Sequence, residues 1–157
     1  MASRDLKPGD KAPDFTLPAD TNGMLSLAEL KGKSVVLYFY PKDDTSGCTA
    51  EAIAFTKDSK AFAKAGAAIV GVSKDSPKSH DKFKAKHALQ LTLASDEETK
   101  TAQAYGVWVE KSMYGRRYMG MERATFLIDG KGVIRQIWRK VKVPGHSADV
   151  LAAIKAL

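Results

Sequence analysis

The chain reads as an α/β protein, a central mixed sheet flanked by helices, on three observations. Residues 34–40, Ser-Val-Val-Leu-Tyr-Phe-Tyr, are continuously apolar and β-branched at their start, the pattern of a strand buried on both faces. Segments of helical period then alternate with short apolar runs along the chain. Near the end, Asp129-Gly130-Lys131-Gly132 sits between two apolar segments as a hairpin turn, so antiparallel strands join the parallel ones.

Taken in order, residues 7–17 are punctuated by proline and read as extended. Ser26 and Glu29 form a capping box for a short helix that Gly32 ends. After the strand at 34–40 comes a long helix, about 49–65. Cys48, Ala52, Phe55, Ser59 and Phe62 fall on one stripe of it, which puts the thiol at the head of the core-facing side. Gly66 closes this helix, and 67–73 is a second buried strand. Ser76 before Pro77 opens a helix to about His87. A short strand follows at 91–94, and Ser95 with Glu98 caps a helix to about Tyr105. Strands at 123–128 and 133–138 flank the hairpin turn, and Ser147 caps a last helix to about 156. This order of elements is thioredoxin-like. Thr45-Ser46-Gly47-Cys48 stands where thioredoxins carry C-x-x-C, with Thr in place of the first Cys.

A length of 157 residues without repeat or linker makes one domain, 1–157. With 44% hydrophobic and 27% charged residues, the composition is that of a soluble globular protein. No run approaches the roughly 18 apolar residues of a membrane span, so no membrane partner is expected. The first ten residues lack an apolar leader core and already carry Asp5 and Asp10, so a cytoplasmic location is expected. The net charge of +7 raises the question of nucleic acid. Basic residues are interleaved with acidic ones, and part of the densest run (135–142) alternates with apolar residues as a strand with one wet face would. A solvated face is the better reading, and no nucleic-acid partner is expected. His80, His87 and His146 lack metal-ligand spacing and are expected to pack at the solvent edge, with no metal.

The chemistry concentrates at Pro41, Thr45 and Cys48, a P-x-x-x-T-x-x-C arrangement. Cys48 is the only cysteine, delivered by a strand and a polar turn to the start of a helix. Thiolates are the reactive form of cysteine, and a helix N-terminus favours them. Pro41 ends the strand and can shield the sulfur. The Thr45 hydroxyl can donate to a thiolate and accept from an incoming O–H. Gly47 allows a turn tight enough for its own N–H and that of Cys48 to face a substrate. Arg123 enters a core strand, where a charge is expensive without a purpose or partner. Glu51 either complements the helix dipole or joins Arg123 in a network.

With these residues in place, the chain resembles the peroxiredoxins, specifically the bacterioferritin comigratory protein or peroxiredoxin Q subfamily. The matching stretches are 9–15 (Gly-Asp-Lys-Ala-Pro-Asp-Phe), 40–49 with Glu51, 108–115 (Trp-Val-Glu-Lys-Ser-Met-Tyr-Gly) and 122–129 (Glu-Arg-Ala-Thr-Phe-Leu-Ile-Asp). The resemblance implies a thiol-dependent peroxidase acting on hydrogen peroxide and organic hydroperoxides in antioxidant defence. Cys48 would be the peroxidatic cysteine, Thr45 and Arg123 its activators and Pro41 its shield. Cys48 would pass through a sulfenic acid, reduced by an external thiol such as thioredoxin, glutaredoxin or glutathione. No cofactor is implied, and a monomer is. Trp108, Met113 and Tyr114 are either plain core or, as the resemblance suggests, a wall of the substrate entrance.

Two features depart from the subfamily pattern. Ser46 replaces a usual proline. The resolving cysteine of many members would fall at Ile53 or at a position like Lys84, and neither is Cys, so a one-cysteine variant is expected. A glutaredoxin-like thiol transferase and a redox sensor or chaperone-like binding protein are the rival readings. Steady peroxide turnover separates the peroxidase from both.

Overall fold

The structure, a computed structural model, describes residues 5–20 and 23–157. The part of the leader reading that rests on residues 1–4 lies outside them. Among the described residues there are nine strands: β1 (Thr16–Pro18), β2 (Met24–Ser26), β3 (Ser34–Phe39), β4 (Ala67–Ser73), β5 (Thr92–Ser95), β6 (Trp108–Met113), β7 (Arg116–Met121), β8 (Ala124–Ile128) and β9 (Ile134–Trp138). Among the described residues five α-helices accompany them, α1 (Ser46–Lys57), α2 (Ser59–Lys64), α3 (Pro77–His87), α4 (Lys100–Ala104) and α5 (His146–Lys155), and the short helix expected after Ser26 is a 3-10 turn, Leu27–Leu30. The central sheet has the order β5-β4-β3-β8-β9. Strands β3, β4 and β5 run parallel, while β8 and β9 are antiparallel to their neighbours, which makes the sheet mixed as expected.

β3 is central, and its unbroken apolar run is explained by what lies on each side. Val36, Tyr38 and Tyr40 pack against Ala52 and Phe55 of α1, Phe83 of α3 and Val150 and Ile154 of α5. Val35, Leu37 and Phe39 turn to the other face, against Phe15, Leu17, Ala102 of α4, Tyr105 and Phe126. The last ladder bond runs from Tyr40 N–H to Val72 O at 3.1 Å. Pro41 follows with no N–H to continue it, so the chain leaves the sheet at the carboxyl end of its parallel strands, where open α/β sheets place their sites.

Several expectations are refined. The long helix starts at Ser46 and breaks at Asp58 into α1 and α2. At that break the Ser147 hydroxyl donates to Asp58 Oδ2 at 2.8 Å and lies 3.3 Å from Ala54 O, the carbonyl that also accepts from Asp58 N–H at 3.3 Å. Ser147 is thus not the cap of the last helix. Gly145, with φ of 78°, is, and the helix begins at His146. The Ser95–Glu98 capping box does not form either. Asp96 takes that role, accepting from Thr101 N–H at 3.2 Å and Ala102 N–H at 2.7 Å. Ser26 and Ser76 cap as expected, accepting from Glu29 N–H and Ser79 N–H.

The histidine expectation is overturned for two of three. His80 is fully buried and His146 nearly so: both ring nitrogens of His80 find partners inside, Asp43 and Ala94 O, and Nε2 of His146 meets Thr125 Oγ1. Strands β6 and β7 escaped the sequence reading. Their hairpin turns at Tyr114 and Gly115, both with positive φ (52° and 77°), the geometry of a two-residue turn matched to strand twist. Its side chains are largely exposed, so no apolar alternation marks it. Among the described residues, no helix is long and apolar enough to cross a membrane.

Gly71 on β4 supplies a test of this packing. A Cβ there would lie 2.8 Å from Tyr38 Cζ and Oη and 2.9 Å from Leu93 Cδ2. Gly71→Ala is expected to lower the unfolding free energy by about 1–3 kcal/mol, read from urea denaturation. An unchanged midpoint would mean that Tyr38 does not fill the space over Gly71.

Candidate active site

Thr45 is the N-cap of α1, and the first helical bond runs from Thr49 N–H to Thr45 O at 2.8 Å. Ser46, Gly47 and Cys48 therefore occupy the first three helical positions, whose N–H groups have no acceptor within the helix. Cys48 points its sulfur inward from the third of these and is 1% exposed.

Arg123 reaches the same spot from the segment joining β7 to β8. Its Nη2 donates to Cys48 Sγ at 3.4 Å and its Nη1 to Glu51 Oε1 at 2.7 Å. Glu51 lies almost one turn past Cys48 on α1 and is also 1% exposed, which settles its two sequence readings in favour of the network. Gly47 lies under the guanidinium, since a Cβ at that position would sit 3.1 Å from Arg123 Nη2. The glycine thus serves the approach of the cation as well as the turn.

Burial opposes both charges of this pair, with different outcomes. For Glu51 desolvation outweighs the attraction and hydrogen bond of Arg123, and its carboxyl is pushed up to about 7. For Arg123 desolvation is outweighed by the charges of Glu51 and then Cys48, so the guanidinium holds its proton more firmly than usual. A second cation stands nearby. Lys111 on β6 donates to Met121 O at 2.6 Å, and its ammonium is held below the ordinary lysine range by burial and then by Arg123, against a weaker opposing pull from Cys48. Sequence reasoning missed Lys111, because only the β6–β7 hairpin brings it towards Arg123.

The remaining expected site residues lie around this centre. Thr45 is exposed, and its hydroxyl donates to Lys42 O at 2.8 Å, which leaves its oxygen able to accept. Pro41 is exposed at the end of β3. Met113 and Tyr114 are 55% and 98% exposed at the tip of the hairpin, which rules out the plain-core alternative for them. Trp108 packs partly buried against the core, with Lys74 Nζ 5.5 Å from the centre of its ring. Among the described residues, no three of His, Cys, Asp and Glu cluster as a metal site would require.

A buried thiol at a helix N-terminus with a fixed guanidinium against it is equipped for nucleophilic sulfur chemistry. Comparison with known proteins agrees. Residues 8–137 match the AhpC/TSA family. The chain is 52% identical over 149 residues to a putative peroxiredoxin of Coxiella burnetii, covering 95% of this chain and 99% of that one. It is 50% identical over 147 residues to a Bacillus subtilis peroxiredoxin, with 94% of each covered. Among solved structures, the bacterioferritin comigratory protein of Xanthomonas campestris superposes with a TM-score of 0.87 at 46% identity, over 90% of both chains. The peroxiredoxin Q of Xylella fastidiosa gives 0.92 at 38% identity over 98% of both. The chain belongs to the AhpC/TSA family and, within it, to the thioredoxin-fold peroxiredoxins of the bacterioferritin comigratory protein type, as a thiol-dependent peroxidase with a single cysteine.

Proposed function

We propose that Cys48 is the peroxidatic nucleophile and that Arg123 is its principal activator. The observation that carries this is the 3.4 Å contact of Arg123 Nη2 with Sγ, in a guanidinium anchored on its other side by Glu51. In the reaction the Cys48 thiolate attacks the terminal oxygen of the hydroperoxide. An S–O bond forms, the O–O bond breaks, and the departing oxygen takes a proton to leave as water or alcohol. Cys48 becomes a sulfenic acid. Arg123 and the N–H groups of Gly47 and Cys48 stabilise negative charge as the O–O bond opens. Thr45 accepts from the peroxide O–H, and Pro41 keeps bulk water from the sulfur.

Hydrogen peroxide and alkyl hydroperoxides are the substrates of this reading. Support for the second comes from the Xanthomonas relative, whose structure is described in terms of alkyl peroxide reduction. With one cysteine in the chain, the sulfenic acid is reduced by an external thiol: thioredoxin, glutaredoxin or glutathione. A monomer in the cytoplasm, where thiols are kept reduced, completes the reading.

A steady-state peroxidase assay, run in parallel with the thioredoxin and the glutathione–glutaredoxin systems, tests it. Many turnovers per Cys48 are expected with at least one system and none for Cys48→Ser. Activity surviving in Cys48→Ser would remove Cys48 from the reaction. Arg123→Met is expected to fold and to react with peroxide tens- to thousands-fold more slowly, a loss of about 2–4 kcal/mol of transition-state stabilisation. Intact mass after one equivalent of peroxide is expected to show a gain of about one oxygen, which added glutathione converts to a mixed disulfide. A loss of about two hydrogens per monomer instead would contradict the one-cysteine cycle.

Glu51 adds a pH dependence. Folded, it keeps its proton to about 7, whereas an ordinary glutamate loses it near 4.5. Across that window the folded state binds more protons than the unfolded one, so the group's contribution to stability falls as pH rises. The stability of the wild type relative to Glu51→Gln is therefore expected to decline between pH 4.5 and 7, measured by urea unfolding at several pH values. A difference that stays flat over this range would place the carboxyl of Glu51 in the ordinary range.

A further inference from the structure

The loop that leads to Cys48 is held by a buried network whose hydrogen bonds touch neither Cys48 nor Arg123. Its centre is Asp43, whose side chain is 4% exposed. Tyr40 Oη donates to Oδ1 at 2.6 Å and Ser79 Oγ to Oδ2 at 2.8 Å. His80 Nδ1 lies 2.8 Å from the same Oδ2, and its Nε2 lies 3.1 Å from Ala94 O on β5. A carbonyl only accepts, so Nε2 carries a hydrogen. The Nδ1–carboxylate contact then requires one further proton between ring and carboxylate.

The backbone is fastened as well. Asp43 N–H donates to Asp75 Oδ2 at 2.8 Å, and that carboxylate is itself held by Ser73 Oγ at 2.6 Å. Asp44 follows in the left-handed region, with φ of 60°, and its carboxylate accepts from Lys86 Nζ and His87 Nε2 of α3. Helix α3 thus grips the loop at two successive residues, and from there the chain runs through Thr45 and Ser46 to Gly47 under Arg123.

A buried polar set of this kind is costly unless every member is satisfied, and apolar side chains would pack α3 against the sheet without that cost. What the polar set supplies is a fixed position for the loop. We propose that Asp43 and His80 are positioning residues for the peroxide reaction, holding the loop so that Cys48 Sγ stays against Arg123. This rests on Cys48 as the reacting thiol, which Cys48→Ser tests separately.

The test uses the purified full chain with His80→Leu, Asp43→Ala and Asp43→Asn. Three quantities are measured: urea unfolding, the second-order rate of peroxide with Cys48, and the rate of Cys48 alkylation by iodoacetamide. In folded His80→Leu and Asp43→Ala the peroxide rate is expected to fall by about tenfold or more, as small misplacements of reacting groups do, while alkylation accelerates because the thiol is less enclosed. Asp43→Asn can still accept from Tyr40 and donate to His80 Nδ1, and is expected to recover most of the peroxide rate. A purely structural role would shift the unfolding midpoint and leave both rates of the folded protein unchanged, and that result overturns the proposal. A parallel fall of both rates also overturns it, since that is loss of the nucleophile's reactivity rather than of its placement. If His80→Leu and Asp43→Ala do not fold, Tyr40→Phe and Ser79→Ala each remove a single donor to Asp43 and are read in the same way.

Discussion

The 2.7 Å contact between Arg123 Nη1 and Glu51 Oε1 ties the second half of the chain to the head of α1. A lone guanidinium in this half-buried position would face the full cost of desolvation, and removing one partner of a buried pair typically costs about 3–5 kcal/mol. Glu51 offsets that cost and also fixes the direction of the fork, so that Nη2 is left to face the sulfur. The absence of a side chain at Gly47 follows from the same contact. β8 pairs with the central strand in a register that sets Ala124 opposite Phe39, and this pairing brings Arg123 to the end of β3.

The sheet provides the rigidity this arrangement requires. Both faces of β3 are packed, Tyr38 and Phe55 are in ring contact at 4.8 Å between centroids, and α1 cannot shift without disturbing that contact. The loop between β3 and α1 would be the weakest link, because a proline ends the ladder and Asp44 takes a positive φ. Hydrogen bonds from α3 and from the β4–α3 turn compensate there.

Much of this was legible in the residues. The central strand, the Cys-headed helix, the turn after β8 and the apolar stripe Ala52, Phe55 and Phe62 all follow from periodicity and turn chemistry, because burial dictates residue type at those positions. Arg123 stood out because charge in a core strand is improbable without a partner. The partner itself was ambiguous, since Glu51 looks the same in sequence whether it faces solvent or a cation. His80 was misread for a related reason. A histidine among lysines on a polar helix resembles a surface residue, and only the distant Asp43 and Ala94 carbonyl make it an interior one. The β6–β7 hairpin left no trace because neither of its faces forms a continuous part of the core, so its sequence is not constrained to alternate.

The solitary cysteine changes the kinetic order of the catalytic cycle. A chain with its own resolving thiol closes the oxidised state at a rate independent of its surroundings, because a tethered partner acts at an effective concentration of order millimolar. Here Lys84 is occupied in an ion pair with Asp20, and Ile53 offers only a methyl-bearing surface, so neither position supplies such a partner. Escape from the sulfenic acid is then bimolecular and proceeds in proportion to whatever external thiol is present. Throughput tracks the peroxide supply when thiols are abundant and the thiol supply when they are scarce, and the crossover is set by the cell rather than by the fold.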